Sequence, residues 1–445
     1  MSTYKKFILL ILVFIGLSCN NKTNNTVIEN RLKISSDKPN LILHFDVEKS
    51  GYYFLQLHLL SSADWGNSDC TSTVIGIYNQ LDDENILGNV IIWKNDFNYN
   101  FFLGEIEAGA YSIKLSYSSH MSICNKPLYL ESVNLSLISD DMSDCAKNLP
   151  FLIGFKNNNI DDGDIHNLHS DLPMFWVCNK ENNTISYILY YSNEDGGTGL
   201  VPGYLMHEWG RFADIENAFT IDLSSNKSYI RDNETKDSEF TGSYYQNRPL
   251  LQVNTLNGLI GEGNIDQENV MFSLPFTIST DLPTREDYLE IFPYSYEIMA
   301  KESLRENKID DNDKDDQLIL SSENRYIFLD QYFSCDNCTP EYYLKITLKT
   351  GDVIYSYKHN GSDNDLDKYQ YSDTSYKRRA VKLPLHSNKD NIKNIEICNN
   401  TTFSGNYFVY KMFLLDKDNL PNNILISPPG KSFLITGNNC IVIYK

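Results

Sequence analysis

The 445-residue sequence has few basic side chains for its size. It contains 38 Lys and Arg against 59 Asp and Glu, which gives a formal net charge of −21. A negative field of this size repels phosphate backbones, so the composition argues against nucleic acid as a partner. It also disfavours electrostatic binding to anionic lipid, whereas divalent cations are attracted.

Several catalytic and architectural signatures are absent. The sequence contains no Gly-x-Ser-x-Gly elbow, no P-loop and no dinucleotide fingerprint. Their absence argues against α/β-hydrolase chemistry, against a nucleotide partner and against redox cofactors. No fixed-period repeat occurs either, which disfavours solenoids and propellers. The sequence therefore predicts no certain cofactor, with Ca²⁺ as the one candidate considered below.

The apolar run at the N terminus, Phe7 to Leu17, is too short to span a bilayer. It has about eleven residues, and a spanning helix needs about 20. Lys5 and Lys6 precede it, and the small residue Ser18 follows. A positive start, a short apolar core and a small residue before the cut are typical of a secretory signal, here residues 1–18.

The Leu17-Ser18-Cys19 ending resembles the lipobox of bacterial lipoproteins. In that family the cysteine is acylated and becomes the first residue of the mature chain. The resemblance implies that Cys19 is lipidated and that the lipid holds the protein to the membrane of the bacterial cell envelope. The outer membrane is the expected location, and the periplasmic or surface face stays open. One departure is Gly16, which stands where a branched aliphatic residue is usual, so an ordinary secreted protein is the alternative.

Eight cysteines remain after Cys19. An even number in an exported chain favours disulfides. Proximity along the chain suggests the pairs Cys70–Cys124, Cys145–Cys178, Cys335–Cys338 and Cys398–Cys440. The spacing of Cys335 and Cys338 also suits a redox or zinc half-site, but no second CxxC accompanies it, so a small structural loop is favoured.

The composition and the apolar pattern predict a mainly β protein. Its 30 Tyr and 22 Phe suit pleated, half-buried surfaces. Short apolar runs bounded by Gly, Asn, Asp or Ser predict strands, among them 41–47, 52–59, 74–78, 90–93, 184–191, 325–329, 342–348 and 407–415. The one predicted helix is Tyr296–Asn307, with Ile298, Met299 and Leu304 on its apolar face. We expect two or three antiparallel β-sandwich-like domains with few short helices.

The domain organisation follows from changes in composition. After the signal, residues 19–31 are a polar tether. We expect an N-terminal β-sandwich at 32–145, a central β-rich domain at 146–305, an acidic linker at 306–316 and a C-terminal β domain at 317–445.

The densest motif of the chain follows the strand at 184–191. Its candidate catalytic carboxylates are Glu194, Asp195, Glu208, Asp214 and Glu216. If the neighbouring strands are antiparallel, these groups converge at one sheet edge. Two carboxylates with an aromatic side chain suit glycoside hydrolysis, in which one acid and one base or nucleophile are needed.

The same segment has a structural interpretation, which we favour. Arg211 can form a bidentate pair with Asp214 or Glu216 and so join a long loop through ion pairs. As binding residues we single out His207, Trp209 and Arg211. The Glu194-Asp-Gly-Gly-Thr198 turn followed by Trp209-Gly-Arg-x-x-Asp-Ile-Glu216 resembles a motif of exported bacterial proteins of unassigned function, and this resemblance implies no activity.

Three polar loops offer metal ligands. One contains Asp164, His166 and His169, although we favour an Asn- and Asp-rich surface loop with incidental histidines. The other two have carboxylates at the first, third and fifth positions of a calcium loop, namely Asp311, Asp313 and Asp315, and Asp363, Asp365 and Asp367. Both lack the Gly and the Glu of an EF-hand, so they are looser Ca²⁺ loops or solvated acidic loops.

Taken together, the sequence favours a non-catalytic recognition protein of the envelope that binds a glycan, a protein or another envelope component. Candidate aromatic contacts in the N-terminal sandwich are Trp65, Trp93 and Tyr99, although a place in the core is the favoured interpretation for them. The alternatives are a carbohydrate-active hydrolase that uses the central carboxylates, and a structural or adhesive surface component.

Overall fold

The computed structural model describes most of the chain with gaps. The described residues are 24–67, 69–79, 85–154, 172–194, 202–232, 236–254, 259–264, 270–310, 320–359, 366–368, 371–402 and 404–445. Among them, no helix is both long enough and apolar enough to cross a membrane.

The first eight strands form two facing layers. They are β1 (Asn24–Ile34), β2 (Asn40–Val47), β3 (Gly51–Leu60), β4 (Thr73–Asn79), β5 (Ile86–Ile92), β6 (Phe97–Ile106), β7 (Gly109–Ser118) and β8 (Leu128–Leu137). One antiparallel sheet has the order β1-β8-β3-β6, and the other contains β2, β7, β4 and β5. Every second residue of β3 from Tyr53 to Leu59 is buried, as expected for a strand with one face on the core.

In the described parts of the central region, four helices and eleven strands occur. The helices are α1 (Ser143–Lys147), α2 (Pro202–Trp209), α3 (Tyr288–Ile291) and α4 (Tyr294–Arg305). The strands are β9 (Phe151–Ile153), β10 (Pro173–Glu181), β11 (Thr184–Tyr191), β12 (Ile215–Asp222), β13 (Lys227–Asp232), β14 (Lys236–Glu239), β15 (Tyr244–Tyr245), β16 (Arg248–Val253), β17 (Ile260–Glu262), β18 (Met271–Phe272) and β19 (Phe276–Ile278).

These central strands take part in two sheets. One has the order β14-β13-β12-β11-β10-β19, antiparallel except where β19 runs parallel to β10. The other extends the N-terminal sheet, because β18 pairs with β5 and continues to β9, β16 and β15. Residues of 32–145 and of 146–305 therefore share one hydrophobic core, which extends across the predicted boundary at residue 145.

The last strands form a second sandwich with a core of its own. They are β20 (Tyr326–Ser334), β21 (Tyr342–Leu348), β22 (Val353–Tyr355), β23 (Tyr357–His359), β24 (Leu366–Lys368), β25 (Lys377–Lys382), β26 (Ile392–Asn399), β27 (Gly405–Leu414), β28 (Asn423–Ile426), β29 (Lys431–Ile435) and β30 (Cys440–Tyr444). One sheet has the order β25-β20-β27-β28, with β29 also on β27, and the facing sheet has the order β22-β21-β26-β30. Leu329, Leu344 and Val409 are among the residues that fill the space between them.

The mainly β architecture with few short helices confirms the predicted fold class. The four disulfides join the pairs that proximity suggested, Cys70–Cys124, Cys145–Cys178, Cys335–Cys338 and Cys398–Cys440. The predicted helix exists as α4, with Ile298 and Met299 in the core. Leu304 was placed on the wrong face, because its side chain is 56 % exposed.

Candidate functional site

The strands β11 and β12 position three of the candidate carboxylates. Leu189 of β11 pairs with Glu216 of β12, and the Tyr191 amide donates to the Asp214 carbonyl at 3.0 Å. Glu194 follows three residues later, and its amide donates to the Phe212 carbonyl. Antiparallel pairing thus brings these three carboxylates to one sheet edge, as the sequence predicts.

Arg211 lies buried beside this edge, but its ion-pair partners differ from those predicted. Its Nε is 3.1 Å from Glu286 Oε1, and its Nη1 is 3.4 Å from Glu194 Oε2. Nη1 also donates to the Ala213 carbonyl, and the guanidinium lies 5.1 Å from the ring centroid of Trp209. The predicted pairing of Arg211 with Asp214 or Glu216 was wrong, because Glu286, 75 residues further along, occupies that position.

Glu286 is ionised in this setting. Burial raises the pKa of its carboxyl, but Arg211, Arg285 and Arg378 outweigh burial and lower that pKa below its usual value. A buried carboxylate needs such compensation, since an unpaired one costs several kcal/mol. Arg211 therefore joins the end of β11 to the segment before α3 through Glu194 and Glu286.

Asp214 and Glu216 form a hydrogen-bonded pair of carboxyls. Burial, with the nearby charges of Glu216 and Glu194, raises the pKa of Asp214 well above its usual range. Burial also raises the pKa of Glu216, while the hydrogen bond from Asp214 lowers it. Like charges this close do not both ionise, so the pair retains a proton.

The short helix α2 and the glycine after it set the approach to the C-terminal sandwich. Pro202 occupies its first position, where a missing N–H costs no hydrogen bond. Gly210 ends the helix at φ +59°, and its amide donates to the Met206 carbonyl at 2.8 Å. A Cβ at Gly210 would lie 2.4 Å from Arg378 Cγ, so only glycine fits between α2 and β25.

Glu208 and His207 point away from the β11–β12 edge and contact the C-terminal sandwich. Glu208 Oε2 lies 2.6 Å from Arg379 Nη1, and Asp373 binds the same guanidinium from the other side at 2.6 Å. The buried His207 contacts the Ala380 carbonyl through Nδ1 at 3.0 Å. These two residues attach α2 to β25, so they contact a different part of the fold from Glu194, Asp214 and Glu216.

The adjacent Arg378 sits in a larger buried cluster. It binds Asp330 on β20, Asp287 at 3.0 Å and Glu290 at 2.9 Å, and Lys411 contacts the same three carboxylates. Burial opposes ionisation of Asp287, yet Arg378 and Lys411 lower its pKa to about 2. The Glu194–Glu216 segment is thus one part of an ion-pair network between the central region and the second sandwich.

Each of the candidate carboxylates that the structure describes contacts another charged or acidic side chain. Glycosidases hold two carboxyls about 5–5.5 Å or about 6.5–9.5 Å apart, with the sugar between them. Asp214 and Glu216 are hydrogen-bonded to each other. Glu194 forms an ion pair with Arg211, and Glu208 forms one with Arg379. Among the described residues, Glu194, Glu208, Asp214 and Glu216 therefore take part in contacts within the fold, and Asp195 lies outside this set.

Several predicted site residues lie outside the described residues. These are the lipidation residue Cys19, Asp195, the first metal-ligand set (Asp164, His166, His169) and the calcium-loop carboxylates Asp311, Asp313, Asp315, Asp363 and Asp365. Asp367 lies on β24, where its backbone pairs with Lys358. The calcium and metal assignments at these positions stay predictions.

The aromatic contacts predicted in the N-terminal sandwich are buried. Trp65 is fully buried, and Trp93 and Tyr99 are each 4 % exposed. The Trp65 indole donates to Glu302 on α4, and the Tyr99 hydroxyl donates to the Lys94 carbonyl at 2.8 Å. These rings pack in the core, so they are not available to a ligand.

A different set of aromatic side chains lies on the outer surface of the second sandwich. We define the aromatic face as Tyr332, Tyr376, Phe408 and Tyr410, all of them half-buried. Tyr332 pairs with Phe408 across β20 and β27, and their rings stack 4.5 Å apart with planes 8° from parallel. Tyr376 lies 4.5 Å from Tyr332 and 6.0 Å from Tyr410.

A β-bulge and the register explain why these rings share one surface. The pairing of β20 with β27 shifts between Asp330 and Gln331, which leaves Tyr410 as the extra residue. Bulges re-aim side chains in this way. The sequence analysis missed the face, although Phe408-Val-Tyr410 in a predicted strand showed the alternation that would have indicated it.

Comparisons with known proteins identify no family. No protein-family model and no curated protein matches the sequence. Among solved structures, the pre-peptidase C-terminal domain of a collagenase from Bacillus anthracis is 12% identical with a TM-score of 0.18, over 25% of this chain and 89% of that one. The M60 catalytic domain with two CBM51 domains from Clostridium perfringens is 11% identical with a TM-score of 0.16. The similarity covers 79% of this chain and 31% of that one.

A third similarity is to the tandem CBM51 modules of a family 98 glycoside hydrolase from Streptococcus pneumoniae. It has 8% identity and a TM-score of 0.16, over 81% of this chain and 84% of that one. Scores this low carry no argument about function, so the functional assignment depends on the chain's own side chains.

Proposed function

We propose that this protein is a non-catalytic recognition protein that binds neutral glycans through the aromatic face. The observation that carries the proposal is the row formed by Tyr376, Tyr332 and Phe408, whose rings contact one another and are partly exposed on one surface. A folded protein gains by burying such rings, so a row of them left at the surface marks an interaction site.

The chemistry of the aromatic face suits a sugar ring. Each pyranose presents C–H groups on its faces, and these pack favourably on the electron-rich face of an aromatic ring. The polar residues Asn406 and Ser432 are exposed on neighbouring positions, with Ser432 opposite Phe408 in the β27–β29 pairing. They can exchange hydrogen bonds with the sugar hydroxyls that point outward from the ring.

The charge of the chain favours a neutral ligand. A formal charge of −21 repels uronate- and sulfate-bearing polysaccharides over the range of the Debye length. Stacking on tyrosine and phenylalanine does not depend on ligand charge. We therefore expect uncharged hexose polymers to bind and acidic polysaccharides to bind weakly.

Lipidation of Cys19 and location in the bacterial cell envelope belong to the same proposal. The support is the signal-like residues 1–18 and the Leu17-Ser18-Cys19 ending. Several acyl chains anchor stably, since each buried methylene contributes about 0.8 kcal/mol. Palmitate labelling should mark the wild type and not Cys19→Ala, and equal labelling of both would refute the anchor.

One observation favours a protein partner as the second candidate. Leu434, at 64 % exposure, lies beside the aromatic face opposite Asn406. A branched aliphatic side chain suits a protein surface better than a sugar. Leu434→Ser should therefore weaken binding to a protein partner and leave glycan binding unchanged.

A glycan microarray probed with the mature chain tests the proposal. We expect signals on neutral glycans that disappear in Phe408→Ala and persist in Tyr244→Ala. Tyr244 is the matched control because it is 54 % exposed but lies on β15, away from the aromatic face. Absence of any glycan signal from the folded wild type would contradict glycan recognition.

A further inference from the structure

The outer face of the N-terminal sheet brings together three metal-ligating side chains that the sequence does not place near one another. His58 lies on β3, Glu131 lies on β8, and Asp96 precedes β6. These strands are neighbours in the order β8-β3-β6, so the three side chains meet around β3. One ligand atom from each of them lies within 4.8 Å of the others.

A β-bulge directs Glu131 to this position. His58 pairs with Ser132 and Leu59 pairs with Leu130, which leaves Glu131 without an opposite residue on β3. The same residue is skipped on the other side, where β1 also shifts register. Bulges of this kind re-aim a side chain and occur often beside functional sites.

The two carboxylates approach different nitrogens of the His58 ring, so an ion held by one nitrogen requires the other carboxylate to move toward it. His58 Nε2 lies 2.8 Å from Asp96 Oδ1, and His58 Nδ1 lies 3.9 Å from Glu131 Oε2. Ligand atoms around a tetrahedral Zn²⁺ are about 3.3 Å apart, given bonds of about 2.0–2.1 Å. Asp96 is 68 % exposed, so its side chain has room to turn from Nε2 toward an ion at Nδ1.

We propose that His58, Asp96 and Glu131 form a binding site for a divalent first-row transition metal, with Zn²⁺ as the test ion. One imidazole nitrogen and two carboxylate oxygens are ligands that such ions accept. The two carboxylates supply the charge that balances a divalent ion. Three protein ligands also leave a fourth position for water or for a group of a bound molecule.

Arg31 adjusts this site. Its Nε is 2.7 Å from Glu131 Oε1, the oxygen that is not next to His58. A guanidinium at this distance lowers the attraction of Glu131 for a cation. Removal of Arg31 should therefore strengthen metal binding, which an incidental surface histidine would not predict.

Isothermal titration calorimetry of the mature chain with Zn²⁺ tests the proposal. Because His166 and His169 are separate candidates, the titrations use the His166→Ala/His169→Ala background. We expect one saturable site, weakened at least about tenfold by His58→Ala or Asp96→Asn and tightened by Arg31→Gln. His44→Ala is the control, since His44 is an exposed histidine of β2 whose Nδ1 lies 2.7 Å from Ser112 Oγ.

A second readout separates lost binding from lost folding. Zn²⁺ should raise the melting temperature of the background protein and not that of His58→Ala, while the metal-free melting temperatures agree. Equal Zn²⁺ affinity in His58→Ala, or no saturable binding by the background protein, would overturn the proposal. Ca²⁺ binding at the same site as tightly as Zn²⁺ would refute the assignment to a transition metal.

Discussion

Arg378 and Asp330 form a buried bidentate ion pair between directly opposed positions of β25 and β20. The Nε–Oδ1 distance is 2.5 Å and the Nη2–Oδ2 distance is 3.0 Å, and both side chains are fully buried. Asp287 and Glu290 from the central region bind the same guanidinium. The pair therefore lies inside the second sandwich and also connects it to the rest of the chain.

Replacement of Arg378 by Leu should be strongly destabilising. It leaves Asp330 and Asp287 buried without their main counter-charge, which costs about 3–5 kcal/mol for a broken buried pair. Urea unfolding followed by tyrosine fluorescence measures the loss. Arg31→Leu is the control, because Arg31 is 64 % exposed and its pair with Glu131 should contribute no more than about 1 kcal/mol. Equal midpoints for the two variants would contradict the role of the buried cluster.

Gly210 offers a test of the close approach between α2 and β25. Gly210→Ala adds a methyl group that would meet Arg378 Cγ at 2.4 Å, and it also strains the backbone at φ +59°. Gly437 has the same φ, but the nearest atom to an added Cβ is 3.9 Å away. The backbone conformation destabilises both variants by about 1 kcal/mol, and the collision destabilises Gly210→Ala further. We expect the lower melting temperature in Gly210→Ala, and matching values would show that the contact is loose.

Glu302 should make stability depend on pH. Burial raises the pKa of its carboxyl to about 7, although Arg305 lowers it. Because the unfolded value is about 4.5, the folded chain holds the proton more tightly and loses stability as pH rises from about 4.5 to about 7. The loss amounts to about 3 kcal/mol at full extent.

The comparison that isolates this group is with Glu302→Gln. The amide retains an acceptor for the Trp65 indole and the Ser192 hydroxyl, which bind Glu302 Oε2. The free energy of unfolding of the variant minus that of the wild type should increase between pH 4.5 and pH 7. A difference that stays constant over this interval would show that Glu302 titrates normally.

The disulfides should differ in their contribution to stability. Cys145–Cys178 closes a loop with a sequence separation of 33, whereas Cys335–Cys338 has a separation of 3. In the chain-entropy model their removal costs about 4 and about 2 kcal/mol. Double alanine variants of each pair, unfolded in urea, measure this difference. The reverse order would mean that strain or residual structure outweighs loop entropy.

The sequence predicts local features of this molecule better than its long-range partners. The strand that became β3 shows strict alternation of apolar residues, and disulfide pairs close in sequence were found by proximity. The helix α2 was missed because its Gly203 and aromatic residues have low helix propensity, and packing on β25 stabilises it instead. The Arg211 partner Glu286 was missed because sequence carries no distance between segments 75 residues apart.

The site followed the same rule. The convergence of Glu194, Asp214 and Glu216 follows from antiparallel pairing, which the pattern predicts. Their occupation by ion pairs and by a shared proton depends on residues from the α3 segment and on burial, which the pattern does not contain. The alternation of Phe408 and Tyr410 is visible in the sequence, but Tyr332 and Tyr376 come from other segments, and the pattern does not show which segments lie together.

Glycan recognition by the aromatic face is tested most directly by the dissociation constant for a neutral glycan identified on the array. Calorimetry should give an affinity that falls about two- to tenfold in Tyr332→Ala and in Phe408→Ala, since each aromatic contact contributes about 0.5–1.5 kcal/mol. The same titration should be unchanged in Tyr244→Ala and in Glu194→Gln, whose side chains lie elsewhere. Unchanged affinity in the Tyr332 and Phe408 variants, with loss of affinity in Glu194→Gln, would contradict binding at the aromatic face. It would indicate that the ligand binds at the central carboxylates instead.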